Sequence, residues 1–259
     1  MKKVLILSLS LLFSGKMMFA QDGENDLKNF RFGLKAAPTI TWYKPDDKKK
    51  FESNGASFKF SYGLMTEFKL NKVAFIATGL QVDYDGGKLN MKDTNFYFMN
   101  KDYELLNKAD TAGQQYSMYR VTSRTYNTTY VTIPLTLKLR TNEIGMMTYF
   151  GQFGVNASYR LKSRINDQAF IGTSPADVSD IDNTADMNLF RFALNIGGGA
   201  EYNLTGSTSL VFGVNWYNGF SNVLQKNSEY LFRTATNSYA ATTQKATSNA
   251  IAITVGVVF

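Results

Sequence analysis

Residues 130–140 read Tyr130-Val-Thr-Ile-Pro-Leu-Thr-Leu-Lys-Leu-Arg140. In an extended chain successive side chains point to opposite faces. Val131, Ile133, Leu135, Leu137 and Leu139 therefore share one face, and Thr132, Pro134, Thr136, Lys138 and Arg140 the other. The same period of two recurs before this stretch, over 30–42, 58–70 and 74–84. It recurs after it, over 147–160, 190–202, 209–216 and 250–259. Eight alternating segments in order predict eight strands.

Alternation alone also fits a soluble eight-stranded barrel of the lipocalin kind, so the composition of the faces has to decide. A soluble barrel turns a face dense in Lys and Glu to water. Here the polar face is mostly Gly, Ala, Ser, Thr and Asn with scattered charges, small enough for the narrow lumen of a closed eight-stranded sheet. The other face is crowded with Phe, Tyr, Trp and Leu, which suits lipid and its aromatic girdles. No stretch of the mature chain is apolar for 18 residues, so a helical crossing is not expected. A sheet in lipid must close to satisfy its backbone. The connections alternate strictly: 44–56, 85–127, 161–188 and 220–247 are long, whereas 71–72, 141–145 and 204–207 are short. The expected fold is all-β: an eight-stranded antiparallel up-and-down transmembrane β-barrel with short periplasmic turns and long extracellular loops. The fourth strand is expected to reach back towards Tyr119, because 119–129 is already rich in β-formers.

The first twenty residues read as an address. Lys2 and Lys3 precede an apolar run over 4–13, and Ala20 precedes a polar stretch. That pattern is a secretory signal over 1–20, followed by a periplasmic segment over 21–29 and the barrel over 30–259. Loss of Lys2, Lys3 and Lys16 takes the formal charge from +7 to +4. No basic cluster interleaved with stacking aromatics suggests nucleic acid. The 259 residues contain neither Cys nor His. Disulfides, thiolate nucleophiles, imidazole metal sites and Ser–His dyads are therefore unavailable. No enzymatic activity, cofactor or metal is expected.

Charges on the inward series are Arg31, Lys35, Lys59, Lys69, Lys138, Arg140, Arg160 and Arg191, with Glu67, Asp83 and Glu201. They are expected to form a satisfied polar plug, in preference to an anion-selective pore. Glu67 and Glu201 also resemble a carboxylate pair for acid–base work, although eight nearby cations favour salt-bridged anions. Asp167, Asp177, Asp180, Asp182 and Asp186 lack calcium-loop spacing and read as a solvated acidic loop. In the second long connection, Phe96, Tyr97, Phe98, Tyr103, Tyr116, Tyr119 and Tyr126 form either a partner-binding surface or the loop's own small core. Pro38 and Pro134 each remove a ladder donor, so a bulge is expected at each.

The segments over 130–140, 149–155, 193–202 and 216–223, with the terminal Phe259, resemble the PorT-like outer-membrane β-barrel family of the Bacteroidetes. The resemblance spans the mature chain and is strongest from Tyr130 onward. It implies insertion by the barrel-assembly machinery through a terminal strand signal, here Val255, Val257 and Phe259. It does not imply one activity. The expected role is a non-enzymatic, plugged barrel presenting surface loops for interaction or envelope integrity, with outer-membrane lipid and a loop-bound protein as partners. The alternative is an accessory subunit of a type IX-like secretion complex, or a small pore.

Overall fold

The structure is a computed structural model and describes residues 29–99, 118–205, 208–235 and 238–259. Residues 1–28, including the expected signal, lie outside the described residues, as do Tyr103 and Tyr116. Eight strands form the wall: β1 (Phe30–Pro45), β2 (Ser57–Lys69), β3 (Ala74–Met91), β4 (Met118–Arg140), β5 (Met147–Ile171), β6 (Phe190–Thr205), β7 (Thr208–Gly219) and β8 (Ala246–Val258). Each pairs antiparallel with its sequence neighbour. β8 also pairs with β1, Leu34 opposite Val257 and Ile40 opposite Ile251. The ring closes and leaves no edge. No helix among the described residues is long and apolar enough to cross a membrane.

The faces sort as the alternation requires. Phe58 is 75% exposed and Leu135 54%, whereas Arg31, Glu67, Lys138 and Glu201 are buried inside the ring. An exposed apolar belt around a buried polar interior is the inverse of a soluble protein.

β3 and β5 run further than expected, and β4 reaches back to Met118, in line with the β-formers over 119–129. β3 and β4 stay paired from Asp85 opposite Thr128 to Asn90 opposite Ser123, and β5 follows β4 to Phe170 opposite Arg120. Much of 85–127 and 161–188, expected as loop, is therefore wall. The cause is a reversal of polarity along continuous strands. Beyond the belt, Leu89, Met91, Val121, Ile165 and Ala169 point inward, while Lys88 and Asn166 are exposed. A register shift marks the boundary: Thr129 faces Lys162 but Tyr130 faces Arg160, so Leu161 is an extra residue on β5. Leu161 and Lys162 are both exposed in succession, and Ser163 and Ile165 then turn inward.

The long connections fold over this upper wall as a cap. The short strand Phe51–Ser53 pairs with β3, and Phe96–Met99 lies between β4 and Asn227–Ala235. Ser238–Thr243 completes a hairpin with Asn227–Ala235, and Val178–Asp182 lies along β5. The cap has its own apolar core, including Tyr43, Phe51, Phe96, Phe98, Tyr126 and Leu231. A glycine makes it possible: a Cβ on Gly87 would lie 2.5 Å from the Tyr43 ring, so only glycine lets that ring lie against β3.

The two prolines do not introduce bulges. Pairing of β1 with β8 lapses between Ala36 and Thr39 and resumes in the same register. Pairing of β4 with β3 lapses around Pro134 likewise, and the Pro134 carbonyl accepts a hydrogen bond from the Thr78 hydroxyl at 2.7 Å. Loss of a single donor is absorbed as a gap in the ladder, with no extra residue needed.

Candidate functional site: the filled lumen and its cap

The lumen charges assemble in tiers because inward positions on neighbouring strands sit side by side. Near the short-turn rim, β1 supplies Arg31, β2 Glu67, β4 Lys138 and Arg140, and β6 Glu201. Arg31 donates to Glu67 at 3.0 Å and to Glu201 at 2.9 Å. Lys138 reaches Glu201 at 2.6 Å and also pairs with Glu67, and Arg140 donates to Glu201. The Lys138 ammonium lies 4.1 Å from the centre of the Phe150 ring, and the Arg140 guanidinium 5.0 Å from that of Phe75. Buried charges persist only when paired and hydrogen-bonded. Here two carboxylates are shared by three cations, and each cation is ion-paired, although Nε and Nη1 of Arg140 are left without a hydrogen-bond partner among the described residues.

In the second tier Arg191 pairs with Asp85 at 2.8 Å and Asp83 at 3.3 Å, over the Tyr130 ring. Asp83 also accepts from Thr132 at 2.6 Å and Gln81 at 2.7 Å, and Asp85 from Ser248 at 2.7 Å. The third tier lies within the cap. Arg124 donates through Nε and Nη2 to the two carboxylate oxygens of Asp167, both at 2.7 Å, Tyr119 donates to Asp167 at 3.1 Å, and Arg124 lies over the Phe98 ring.

Of the charges expected inside, seven join the first two tiers. Lys35 makes no ion pair among the described residues and lines, together with Glu67 and Lys138 of the first tier, a cavity of about 50 Å³; a second cavity beside Arg191 measures about 20 Å³. Each has room for only a few waters. Lys59 donates to Asn127 at 2.6 Å. Arg160 donates to the carbonyls of Thr184 and Met187 and so ties the wall to the cap. Lys69 is half-buried at the end of β2. The carboxylates of Glu67 and Glu201 are both held by cations. Asp85, Arg124 and the ion-paired role of Asp167 escaped the sequence reading, because the alternation was followed only as far as the apolar belt.

The acidic loop is not uniformly solvated. Asp167 is in the buried pair, and Asp186 is buried, accepting from the Ser228 hydroxyl and from the Glu229 backbone N–H at 2.6 Å. Asp182 accepts from the Thr184 N–H at 2.8 Å, and Asp177 and Asp180 are exposed. Among the described residues no group of three or more such side chains is placed to hold a metal ion. The aromatics divide similarly. Phe96 is 0% exposed, Phe98 1% and Tyr119 1%, so these three and Tyr126 build the cap core and present no binding surface, while Tyr97 is half-buried.

Burial raises the Asp186 carboxyl above its ordinary value, against the lowering effect of the Ser228 and Glu229 hydrogen bonds and Arg124. A raised acid favours the folded cap most below its unfolded pKa of about 3.8, and that contribution is lost as pH rises through the folded value. The cap should therefore exchange its amide hydrogens more slowly, relative to the barrel wall, as pH falls into that window. Asp186→Asn should abolish this pH dependence, measured by hydrogen exchange corrected for intrinsic rates over 224–231. An unchanged dependence in the variant would assign it to another group.

The sequence profile described as "Outer membrane protein beta-barrel domain" matches residues 19–257. The chain belongs to this outer-membrane β-barrel family. No curated protein matches it. Among solved structures, Neisserial surface protein A is 10% identical with a TM-score of 0.39, covering 89% of this chain and 96% of its own. OprG from Pseudomonas aeruginosa is 10% identical with a TM-score of 0.42, covering 89% and 95%. Ail of Yersinia pestis, in complex with the heparin analogue sucrose octasulfate, is 10% identical with a TM-score of 0.35, covering 89% and 99%. The outer-membrane barrel of this family explains the inverted faces, for its exposed belt meets lipid hydrocarbon.

Proposed function

We propose that this outer-membrane barrel is a non-enzymatic, non-conducting anchor that displays a folded cap at the cell surface for interaction or envelope integrity. The carrying observation is the filled interior. Two tiers of buried ion pairs cross the lumen, and the cavities between them hold only a few waters. A capped long-loop rim at the surface leaves the short turns and both chain ends in the periplasm, the usual disposition of such barrels. The outward Val255, Val257 and Phe259 on the closing strand suit recognition by the assembly machinery, and the Phe259 N–H donates to the Phe32 carbonyl at 2.8 Å. The PorT-like resemblance over 130–223 belongs with this reading, and a protein partner would meet the outer surface of the cap.

The test is planar-bilayer conductance of the purified chain. Only brief, sub-nanosiemens events are expected. Reproducible, long-lived channels would overturn the plug and restore the pore alternative.

A further inference from the structure

β2 leaves β3 early. Their pairing ends at Ser61 opposite Asp83, although β2 stays with β1 as far as Ser57 and β3 stays with β4 as far as Asn90. Beside this parting of the wall lies a groove of about 490 Å³. Its floor follows from the register. One outward row is Val82, Val131 and Tyr159; the next is Tyr84, Thr129 and Lys162; the one beyond is Gly86, Asn127 and Arg164. The wall thus changes from apolar to cationic in one step. Thr129, with Asn127 and Thr128, forms the floor, between Tyr84 on one side and Lys162 and Arg164 on the other, and Gly86 lies buried beneath the Lys59 stem. Lys59 crosses the parting from β2, its Cε 3.0 Å from where a Gly86 Cβ would stand and its ammonium 2.6 Å from the Asn127 side-chain amide oxygen Oδ1.

The charge balance is positive. Lys162 is exposed and makes no ion pair among the described residues. Arg164 donates to the Asp180 backbone carbonyl at 2.9 Å and faces its carboxylate, which also lines the groove, at 3.8 Å. With both side chains exposed that ion pair is worth little, and three cations still outnumber the two lining carboxylates. Asp85 also lines the groove but is turned to Arg191 and Ser248. The row directly beneath is the lipid-facing belt, with Leu161 and Tyr84 exposed at its upper margin. Tyrosines at that depth and cations just above it match an amphiphile's headgroup.

We infer that this groove binds the phosphate of a membrane lipid. Lys59, Lys162 and Arg164 take the phosphate oxygens, and the acyl chains lie along Tyr84 and Leu161. Lys and Arg are the side chains suited to phosphate oxygens, and the apolar lower lip favours a lipid over a free anion.

The experiment is native mass spectrometry of the full chain in detergent, titrated with diphosphoryl lipid A and, in parallel, with phosphatidylglycerol. The choice of lipid A rests on the long-loop rim facing outward. Phosphatidylglycerol keeps the site testable if that orientation is wrong. Lys162→Ala combined with Arg164→Ala should weaken binding of at least one of these lipids tenfold or more, with the β circular dichroism unchanged. Thr129→Trp, which fills the floor and keeps every charge, should weaken it similarly. Lys72→Ala with Lys226→Ala removes equal charge elsewhere and should leave binding within twofold. The inference is overturned if neither lipid responds to the groove variants, if the control pair loses as much, or if inorganic phosphate binds as tightly as the lipids.

Discussion

Glu201→Gln lowers the stability of the barrel by about 3–5 kcal/mol, the cost of removing one partner from a buried ionic cluster. Glu201 is fully buried and receives Arg31, Lys138 and Arg140. Without its charge three cations share Glu67 alone, in an interior with little water to screen them. The measurement is urea unfolding in detergent micelles, followed by fluorescence of Trp42 and Trp216. Adding Arg140→Met to Glu201→Gln should recover part of the loss, because it removes one of the stranded cations; independent sites would show simple additivity. A loss below about 1 kcal/mol for Glu201→Gln would mean that solvent already screens the cluster, and the plug would then be no barrier to ions.

Leu135→Arg is the second large effect. Leu135 is 54% exposed at the middle of the apolar rows of β4, between Leu139 and Val131. A charge there meets hydrocarbon and costs about 2–4 kcal/mol, against about 0–1 near the interface. Thr125→Arg, on the outward face beyond the boundary, should cost little by the same assay. Equal costs at both positions would contradict the placement of the belt. A negligible cost at Leu135 would mean that this face does not meet lipid.

Eight strands, their order and the inverted faces were legible because a period of two with a strong contrast between faces leaves one register per strand. The first-tier partners were legible for the same reason: Arg31, Glu67, Lys138, Arg140 and Glu201 all have inward parity. The cap was not. Beyond the belt the contrast reverses sign, so Leu89, Met91 and Ile165 fall on the face that the lower rows reserve for polar side chains. Phe96 and Phe98 are buried partly by pairing with Leu231 and Arg233 of a strand more than a hundred residues away, a pairing that no local pattern encodes. The shift at Leu161 hides the continuation of β5, because one extra residue moves every later side chain to the opposite face.

The Glu201 hub acts on the shape of the cross-section. Its charges come from the adjacent strands β1 and β2 and from β4 and β6, which lie further around the ring. They act as spokes drawn to a common axle. Lateral pressure from the bilayer tends to flatten a thin cylinder into an ellipse, and flattening must lengthen some of these spokes while compressing others. The hub thus keeps the cylinder round and gives the cap a rigid pedestal.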